Sequence, residues 1–292
     1  MNEELGIVTS ARRLFHSQLV SVGALSVNKA GVTSIADKGS ESSKAIALSL
    51  AESLGVVERS DKLPGQSQGA KFEEATRSFI ANTLPEMGAL RPGSWRVECV
   101  GGRRKRDHLA QYEPYNHLDN LAAAIQRDRT LESVLGNIYV VSPDVLVLRA
   151  PESDSTINSQ AFVVDEQSAS RSNMRTSNYD DPRDIVHAVI SCKFTMRSDR
   201  SQNARSEALN LIRNRKGRTP HIVVVTAEPS PSRIASLALG TGDIDMVYHM
   251  ALPELIEAVR TLDNDEALTM LKVLLDGKRL RDISDLALDL CV

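Results

Sequence analysis

Cysteine, aromatic residues and long apolar runs are all scarce in this sequence. The cysteines number only three and lie far apart, at Cys99, Cys192 and Cys291, so they form neither a disulfide framework nor a zinc-ligand pattern. No apolar run approaches the ~18 residues of a membrane span, and the acidic start Met-Asn-Glu-Glu is not a signal peptide. These absences predict a cytoplasmic protein without a membrane partner.

An excess of charge of either sign is also missing. The chain has 35 Lys and Arg against 38 Asp and Glu, a net charge of −3. Such a balance gives no sign of nucleic-acid binding, yet it does not exclude it, because acidic surface elsewhere can offset a basic cleft. With 41% hydrophobic and 25% charged residues in 292, the composition is that of an ordinary globular protein.

The pattern of apolar residues alternates between strand-like and helix-like segments, which predicts an α/β core with a central sheet flanked by helices. We predict strands at 95–100, 139–148, 187–196, 221–226 and 243–249, and a structured turn at 63–69. We predict helices at 44–55, 71–84, 117–135, 200–216, 230–239, 252–262 and 264–276. The whole chain, 1–292, is expected to be a single domain with an N-terminal helical and loop region (1–90) and a long polar insertion (about 151–184).

The stretch 190–200 is the one around which the chain is organised. An apolar strand ends in Ser191-Cys-Lys193, and a charged cluster then opens a helix. Asp144 follows Pro143 in an earlier apolar run. A carboxylate on one central strand and a Ser-x-Lys on a later one suggest a nuclease centre; the alternative is that Asp144 caps a turn and Lys193 extends to solvent from a strand end.

Phosphodiester hydrolysis needs an activated water and neutralisation of charge at phosphorus, which Mg²⁺ held by carboxylates supplies. Asp144 can ligate such ions, and the backbone carbonyl of Cys192 can add a ligand if the two strands pair. Lys193 would contribute a compact cation. Glu207, on the helix that follows, could reach back to the same metal site.

The charged cluster Arg197-Ser-Asp199-Arg200 suits the reading of bases. Arginine pairs bidentately with guanine, and a carboxylate accepts from cytosine N4. A helix cap with exposed ions is the alternative for these residues, as a solvated first-turn acid is for Glu73. The basic run 101–106 is either a solvated loop or a phosphate contact.

Longer blocks of sequence carry a family resemblance: Leu63-Pro-Gly-Gln66, Ser191-Cys-Lys193, Arg197-Ser-Asp-Arg200, Asn203-Ala-Arg-Ser-Glu207, Arg213-Asn-Arg-Lys-Gly217, His221-Ile-Val-Val-Val-Thr-Ala-Glu228 and Gly277-Lys-Arg-Leu-Arg-Asp-Ile-Ser-Asp285. In these blocks the chain resembles the NgoMIV-like type II restriction endonucleases, the CCGG-recognising group of the PD-(D/E)XK nuclease superfamily. The resemblance runs almost from end to end. It implies a restriction-endonuclease-like core with a central mixed β-sheet.

The resemblance also implies roles for individual residues. Asp144 and Glu207 would serve the metal site with the Cys192 carbonyl, Lys193 would be the catalytic lysine, and Ser191 and Glu73 would complete the constellation. In that family the second acidic residue has moved to the next helix, so Ser191 stands where a carboxylate is usual. The readers of the central CCGG would be Arg197, Asp199 and Arg200. Gln66 matches a minor-groove contact, and Arg233 and Ser40 match contacts to the outer base pair.

By this resemblance the enzyme would cut double-stranded DNA at GCCGGC after the first G, using Mg²⁺ at two ions per active site. The implied partners are a homo-oligomer, a dimer of dimers, and a cognate cytosine methyltransferase in a bacterial host. Two other functions remain open from the residues: a structure-selective repair or recombination nuclease on the same fold, and a DNA-binding protein without turnover. Cleavage that ignores CCGG would indicate the first, and specific binding without cutting the second.

Overall fold

The computed structural model describes residues 5–56, 65–100, 108–127, 130, 143–196, 198–240 and 242–292, with the backbone alone for 198–202. Within these ranges one sheet contains six strands in chain order from edge to edge. They are β1 (Trp95–Cys99), β2 (Val145–Arg149), β3 (Ile185–Lys193), β4 (His221–Thr226), β5 (Met246–His249) and β6 (Leu280–Asp282).

The sheet changes from antiparallel to parallel pairing at β3. β1, β2 and β3 pair antiparallel, whereas β3, β4, β5 and β6 pair parallel. Consecutive residues of β2 and β4 are buried, so both faces of the central strands are covered. β2 begins at Val145, which pairs with Ile190, and β3 continues to Lys193. Among the described residues, the end of β3 therefore has no strand partner on the β2 side.

Ten α-helices lie among the described residues: α1 (Ile7–Ser21), α2 (Glu41–Ser53), α3 (Gly65–Thr83), α4 (His117–Arg127), α5 (Asp154–Ile157), α6 (Ser198–Asn214), α7 (Pro231–Ala238), α8 (Leu252–Thr261), α9 (Asp265–Asp276) and α10 (Leu286–Asp289). Short 3₁₀ turns occur at Leu84–Met87, Leu109–Gln111, Thr176–Asn178 and Ile283–Asp285. None of the described helices has the length and apolar character needed to cross a membrane.

Helix α3 packs across β1, β2 and β3, and aromatic contacts fix it there. The Phe72 ring lies 6.1 Å from that of Phe15 on α1 and 5.4 Å from that of Phe194, directly after β3. All three side chains are almost completely buried. Burial of aromatic rings of this size contributes strongly to stability, so α3 holds the end of β3 in place.

The predicted alternation of strands and helices is confirmed, with differences at the ends of elements. The segment at 65–69, predicted as a turn, is instead the first turn of α3, because α3 starts at Gly65. β2 starts after Asp144, so this residue precedes the strand and is not inside it. The strand β6 was not predicted, since its three residues are too few to show a period. Residues 131–142, which include parts of a predicted helix and strand, and the basic run 101–106 lie outside the described residues.

The polar segment 151–184 connects β2 to β3 and contains α5 and one 3₁₀ turn. Its internal contacts centre on Arg175, which is only 6% exposed. The Arg175 guanidinium donates to both carboxylate oxygens of Asp154, at 2.7 and 2.8 Å. The segment thus has an ion pair of its own, in which the Arg175 side chain is buried and the Asp154 side chain is partly exposed.

Candidate active site

On the β2 side, a side chain provides a hydrogen-bond acceptor for the end of β3. The Cys192 amide donates to Asp144 Oδ2 at 2.8 Å, where a further β2 residue would otherwise have accepted. The Asp144 backbone is itself fixed, because its carbonyl accepts from the Val100 amide at 3.0 Å. The N–H and C=O of a strand residue point to the same neighbour. The Cys192 carbonyl therefore also faces the Asp144 side.

Lys193 lies between two carboxylates. Its Nζ is 3.5 Å from Asp144 Oδ2 and 3.8 Å from Glu207 Oε2. Burial by itself lowers the pKa of Lys193, but the charges of Asp144 and Glu207 outweigh burial and raise the pKa overall. Lys193 is therefore an ammonium ion at neutral pH in this arrangement, with its side chain 15% exposed.

Ser191 lies two residues before Lys193, so the two side chains point to the same face of β3. The Ser191 Oγ atom is buried and makes no hydrogen bond with any described residue. A buried hydroxyl without a partner is costly and uncommon in folded proteins. Ser191 is not among the residues that line the cleft described below.

A cleft of about 640 Å³ joins these groups to residues from other elements. Asp144, Lys193 and Glu207 line it together with Glu73 of α3, and so do the predicted DNA contacts Gln66 and Arg233. Residues more than half the chain apart, such as Gln66 and Arg233, thus share one cavity. Two residues that were not predicted, Asn203 and Asp37, also line it, and Asp37 forms an ion pair with Arg233.

The remaining predicted readers are only partly described. Arg197 lies outside the described residues, and Asp199 and Arg200 lie in the first turn of α6 without described side chains. Ser40 caps α2, accepting from the Ser43 amide at 3.2 Å, and is not among the residues that line the cleft; its predicted contact to the outer base pair stays a prediction. The structure therefore gives Ser40 a local structural role.

The oxygen atoms around Asp144 fit a hard divalent cation. Within the described ranges no three Asp, Glu, His or Cys side chains are grouped as a metal site. Mg²⁺ does not require such a group, because it binds through one or two carboxylates and retains several waters. Asp144, Glu207 and the Cys192 carbonyl offer that set of donors. The Cys192 thiol does not, since burial raises its pKa well above the ordinary value.

A mixed sheet with a carboxylate–lysine group at the end of its central strand is typical of nucleases with a restriction-endonuclease-like core. Comparison with known proteins gives the family. The family model described as the NgoMIV restriction enzyme matches residues 15–292. The type II restriction enzyme NgoMIV of Neisseria gonorrhoeae is 46% identical over 286 residues, which cover 98% of this chain and 99% of that protein. The chain belongs to the NgoMIV restriction enzyme family and is a type II restriction endonuclease.

Among solved structures, the complex of restriction endonuclease PspGI with its substrate DNA is similar to this chain at a TM-score of 0.31 and 15% identity. The similarity covers 98% of this chain and 92% of the other. The family assignment follows from the sequence matches, since a TM-score at this level does not establish a common fold.

Proposed function

We propose that this enzyme hydrolyses double-stranded DNA at GCCGGC in the presence of Mg²⁺, cutting after the first G to leave 5′-CCGG overhangs. The observation that supports this most strongly is the cleft in which Asp144, Lys193 and Glu207 meet Gln66 and Arg233. A single cavity thereby contains groups suited to hydrolysis and groups suited to DNA contact. The order of these residues along the chain does not by itself show that the hydrolytic residues and the DNA-contacting residues lie close together.

In this proposal Asp144, Glu207 and the Cys192 carbonyl hold the metal ions, two per active site. When bound, Mg²⁺ supplies an activated water and offsets the negative charge that develops at phosphorus. Lys193 presents its ammonium to the attacking water or the scissile phosphate, where a fixed cation stabilises the transition state. Ser191 offers a hydroxyl to the same group, and Glu73 adds a carboxylate from α3.

We assign recognition of the DNA sequence to residues at and just before the start of α6 and to Gln66 and Arg233, which line the cleft. Arg197, Asp199 and Arg200 follow the end of β3 directly, so a base pair that they contact lies near the scissile phosphate. Arg200 and Arg197 would pair with guanines and Asp199 with a cytosine amino group in the major groove. Gln66 would contact the minor groove and Arg233 the outer base pair, and both residues line the cleft. By resemblance Ser40 would also contact the outer base pair, although it caps α2 and does not line the cleft.

A palindromic site calls for a two-fold symmetric protein, because symmetric half-sites match symmetric subunits. We therefore assign a homo-oligomer, a dimer of dimers by resemblance, acting in the bacterial cytoplasm. A cytosine methyltransferase of the same host would protect the host's own sites.

Digestion of a fully sequenced, unmethylated plasmid with Mg²⁺, followed by sequencing of the fragment ends, tests the proposal. Ends that map uniformly to GCCGGC are the expected result. Ends at other CCGG-centred sites would reject the assignment of Gln66, Ser40 and Arg233 and keep the enzyme class. Cleavage without preference for CCGG would indicate a structure-selective nuclease, and specific binding without cutting would indicate a binding protein.

The substitution Arg200→Ala should reduce discrimination at one guanine by roughly 1–3 kcal/mol, because a bidentate contact to guanine is lost. The measurement is binding in Ca²⁺ to duplexes that differ from GCCGGC at that one base pair. Arg213→Ala is the matched control, since Arg213 is an exposed arginine in the last turn of the same helix. Unchanged discrimination in Arg200→Ala would remove this residue from the reader set.

A further inference from the structure

Glu228 is a carboxylate that is 1% exposed, two residues beyond the end of β4. It makes no ion pair within 4 Å among the described residues, and its oxygens are used by backbone amides. Oε2 accepts from the Met196 amide at 2.7 Å, and Oε1 accepts from the Ser230 amide at 3.1 Å. Met196 directly precedes the reader cluster 197–200, and Ser230 directly precedes α7, which carries Arg233. One buried side chain therefore joins two elements that are both assigned to DNA recognition.

Two further contacts fix the same segment. Thr226 Oγ1 donates to the Lys193 carbonyl at 2.7 Å and accepts from the Glu228 amide at 3.1 Å. On the other side, Arg233 donates to the Met196 carbonyl at 3.2 Å. The backbone from Lys193 to Met196 is thus held by the end of β4 and by α7. A small shift of Met196 would displace the readers relative to Lys193.

The charge of Glu228 matters because two amides require two acceptors. The ionised carboxylate accepts at both oxygens, whereas the protonated form turns one oxygen into a donor. Burial raises the pKa of Glu228 to about 7, although the Met196 and Ser230 amides and the Arg233 charge lower it. The other groups that face it are Asp37, whose charge raises this pKa, and His249, which lies against the Glu228 backbone and is neutral because burial lowers its pKa to about 4.

From these contacts we infer that Glu228 is a positioning residue for sequence discrimination, which fixes the reader cluster 197–200 and the Arg233 helix relative to the catalytic strand. The inference rests on the proposed function of those readers. A neutral side chain at this place should leave the fold intact and weaken the distinction between the cognate site and a site with one changed base pair. Hydrogen bonds to a charged acceptor are about twice as strong as neutral ones, so the expected loss of discrimination is about tenfold.

Glu228→Gln tests this with nearly the same shape and no charge. Hydrogen exchange of the free protein at pH 8.5 should show faster exchange of the Met196 and Ser230 amides in Glu228→Gln than in the wild type. Binding in Ca²⁺ to GCCGGC and to a duplex with one changed central base pair should show discrimination that rises through about pH 7 in the wild type and stays flat and low in the variant. Ser230→Ala is the control, because it keeps the amide that Glu228 uses and removes only a hydroxyl.

A measurement of stability distinguishes a positioning role of Glu228 from a merely structural one. A carboxyl whose folded pKa is raised costs stability as it ionises, so the free energy of unfolding of the wild type falls between about pH 4.5 and 7. The Tm of Glu228→Gln should therefore increase relative to that of the wild type as pH rises through this range. The variant should nevertheless discriminate less well than the wild type between the cognate site and a changed site. If Glu228→Gln does not fold, Glu228→Asp takes its place, since it keeps the charge but is too short to reach both amides.

Three results would overturn the inference. Unchanged exchange of both amides would show that the contact does not hold the segment. Faster exchange with unchanged discrimination, in a protein whose wild type does discriminate, would reject the positioning role. A wild type that binds all sequences equally would reject the proposed function, and with it the effect on recognition, while the amide exchange would still report on the contact itself.

Discussion

Lys193→Ala should lower the rate of DNA cleavage with Mg²⁺ by roughly 10²–10³-fold, the scale of loss seen when a fixed electrostatic group is removed from an active site. Specific binding in Ca²⁺ should remain measurable. The Lys193 ammonium is 3.5 Å from Asp144 and 3.8 Å from Glu207, so it is fixed before substrate binds. A cation held in this way needs no reorganisation as charge develops on the phosphate.

Asp144→Ala should abolish cleavage for a different reason. The Asp144 carboxylate is both a proposed metal ligand and the acceptor of the Cys192 amide. Its removal leaves that amide without its partner and takes away one of the two carboxylates proposed to hold the metal. A higher Mg²⁺ concentration can offset a weaker metal affinity but cannot replace the lost acceptor of the Cys192 amide, so cleavage by Asp144→Ala should stay below the wild-type rate at every Mg²⁺ concentration.

Lys272→Ala is the matched control for Lys193→Ala, since Lys272 is exposed on α9 and does not line the cleft. Its cleavage rate should equal that of the wild type. Gel-shift or fluorescence binding in Ca²⁺ and single-turnover cleavage in Mg²⁺ are the two measurements. Wild-type cleavage by Lys193→Ala or Asp144→Ala would show that the catalytic assignment is wrong.

Arg12→Ala should lower the free energy of unfolding by about 3 kcal/mol, because it leaves two largely buried carboxylates without their cation. Arg12 of α1 donates to Asp282 Oδ1 at 2.8 Å and to Glu254 Oε1 at 2.9 Å. Asp282 in turn accepts from the Leu252 amide at 2.9 Å. One guanidinium therefore ties α1 to the start of α8 and to the end of β6. For a chain of this size the Tm should fall by roughly 6 °C.

The effect of Arg12→Ala should depend on pH in a definite direction. Burial alone would raise the pKa of Asp282 and of Glu254, but the hydrogen bonds from Arg12 outweigh burial and lower both. A carboxyl with a lowered folded pKa contributes stability above its ordinary pKa, and this contribution is lost as pH falls through the folded value. The difference between the wild type and Arg12→Ala should therefore be full at pH 7 and shrink below about pH 4.

Arg13→Ala is the matched control for this prediction. Arg13 is the next residue of the same helix, and it is exposed. Its removal should change the free energy of unfolding by less than about 0.5 kcal/mol, as for ordinary surface substitutions. Urea unfolding of the three proteins is the measurement, and equal stability of Arg12→Ala and Arg13→Ala would show that the buried ion pairs contribute nothing.

Much of the fold could be predicted from short stretches of sequence. The run His221–Thr226 is a buried strand in the structure as predicted, because β-branched residues in an unbroken apolar run favour a strand covered on both faces. The helix ending near 214 was predicted from its apolar period. The ends of elements were less well predicted at Gly65 and Val145, where capping and pairing decide the boundary and period does not.

The sequence allowed the residues of the candidate site to be named, but it did not show which of them lie in contact. Asp144 and Lys193 were singled out by their places in apolar runs, and Glu207 by its place on the helix that follows Lys193 and by the resemblance to the family. The cap that Ser40 provides to α2 was not predicted, because the sequence did not mark where that helix begins. Glu228 was visible only as an acid after a buried strand, with nothing to mark the amides that it accepts from.

The sequence by itself determined the α/β class, most of the elements and the family, because these follow from local period and from long matching blocks. Tertiary structure decided which distant residues meet: Asp144 with the Cys192 amide, Glu228 with Met196, and Arg12 with Asp282. Each of these contacts depends on where one strand or helix ends relative to its neighbour. A shift of one residue in pairing turns a side chain to the other face of the sheet, and no local pattern in the chain specifies that pairing.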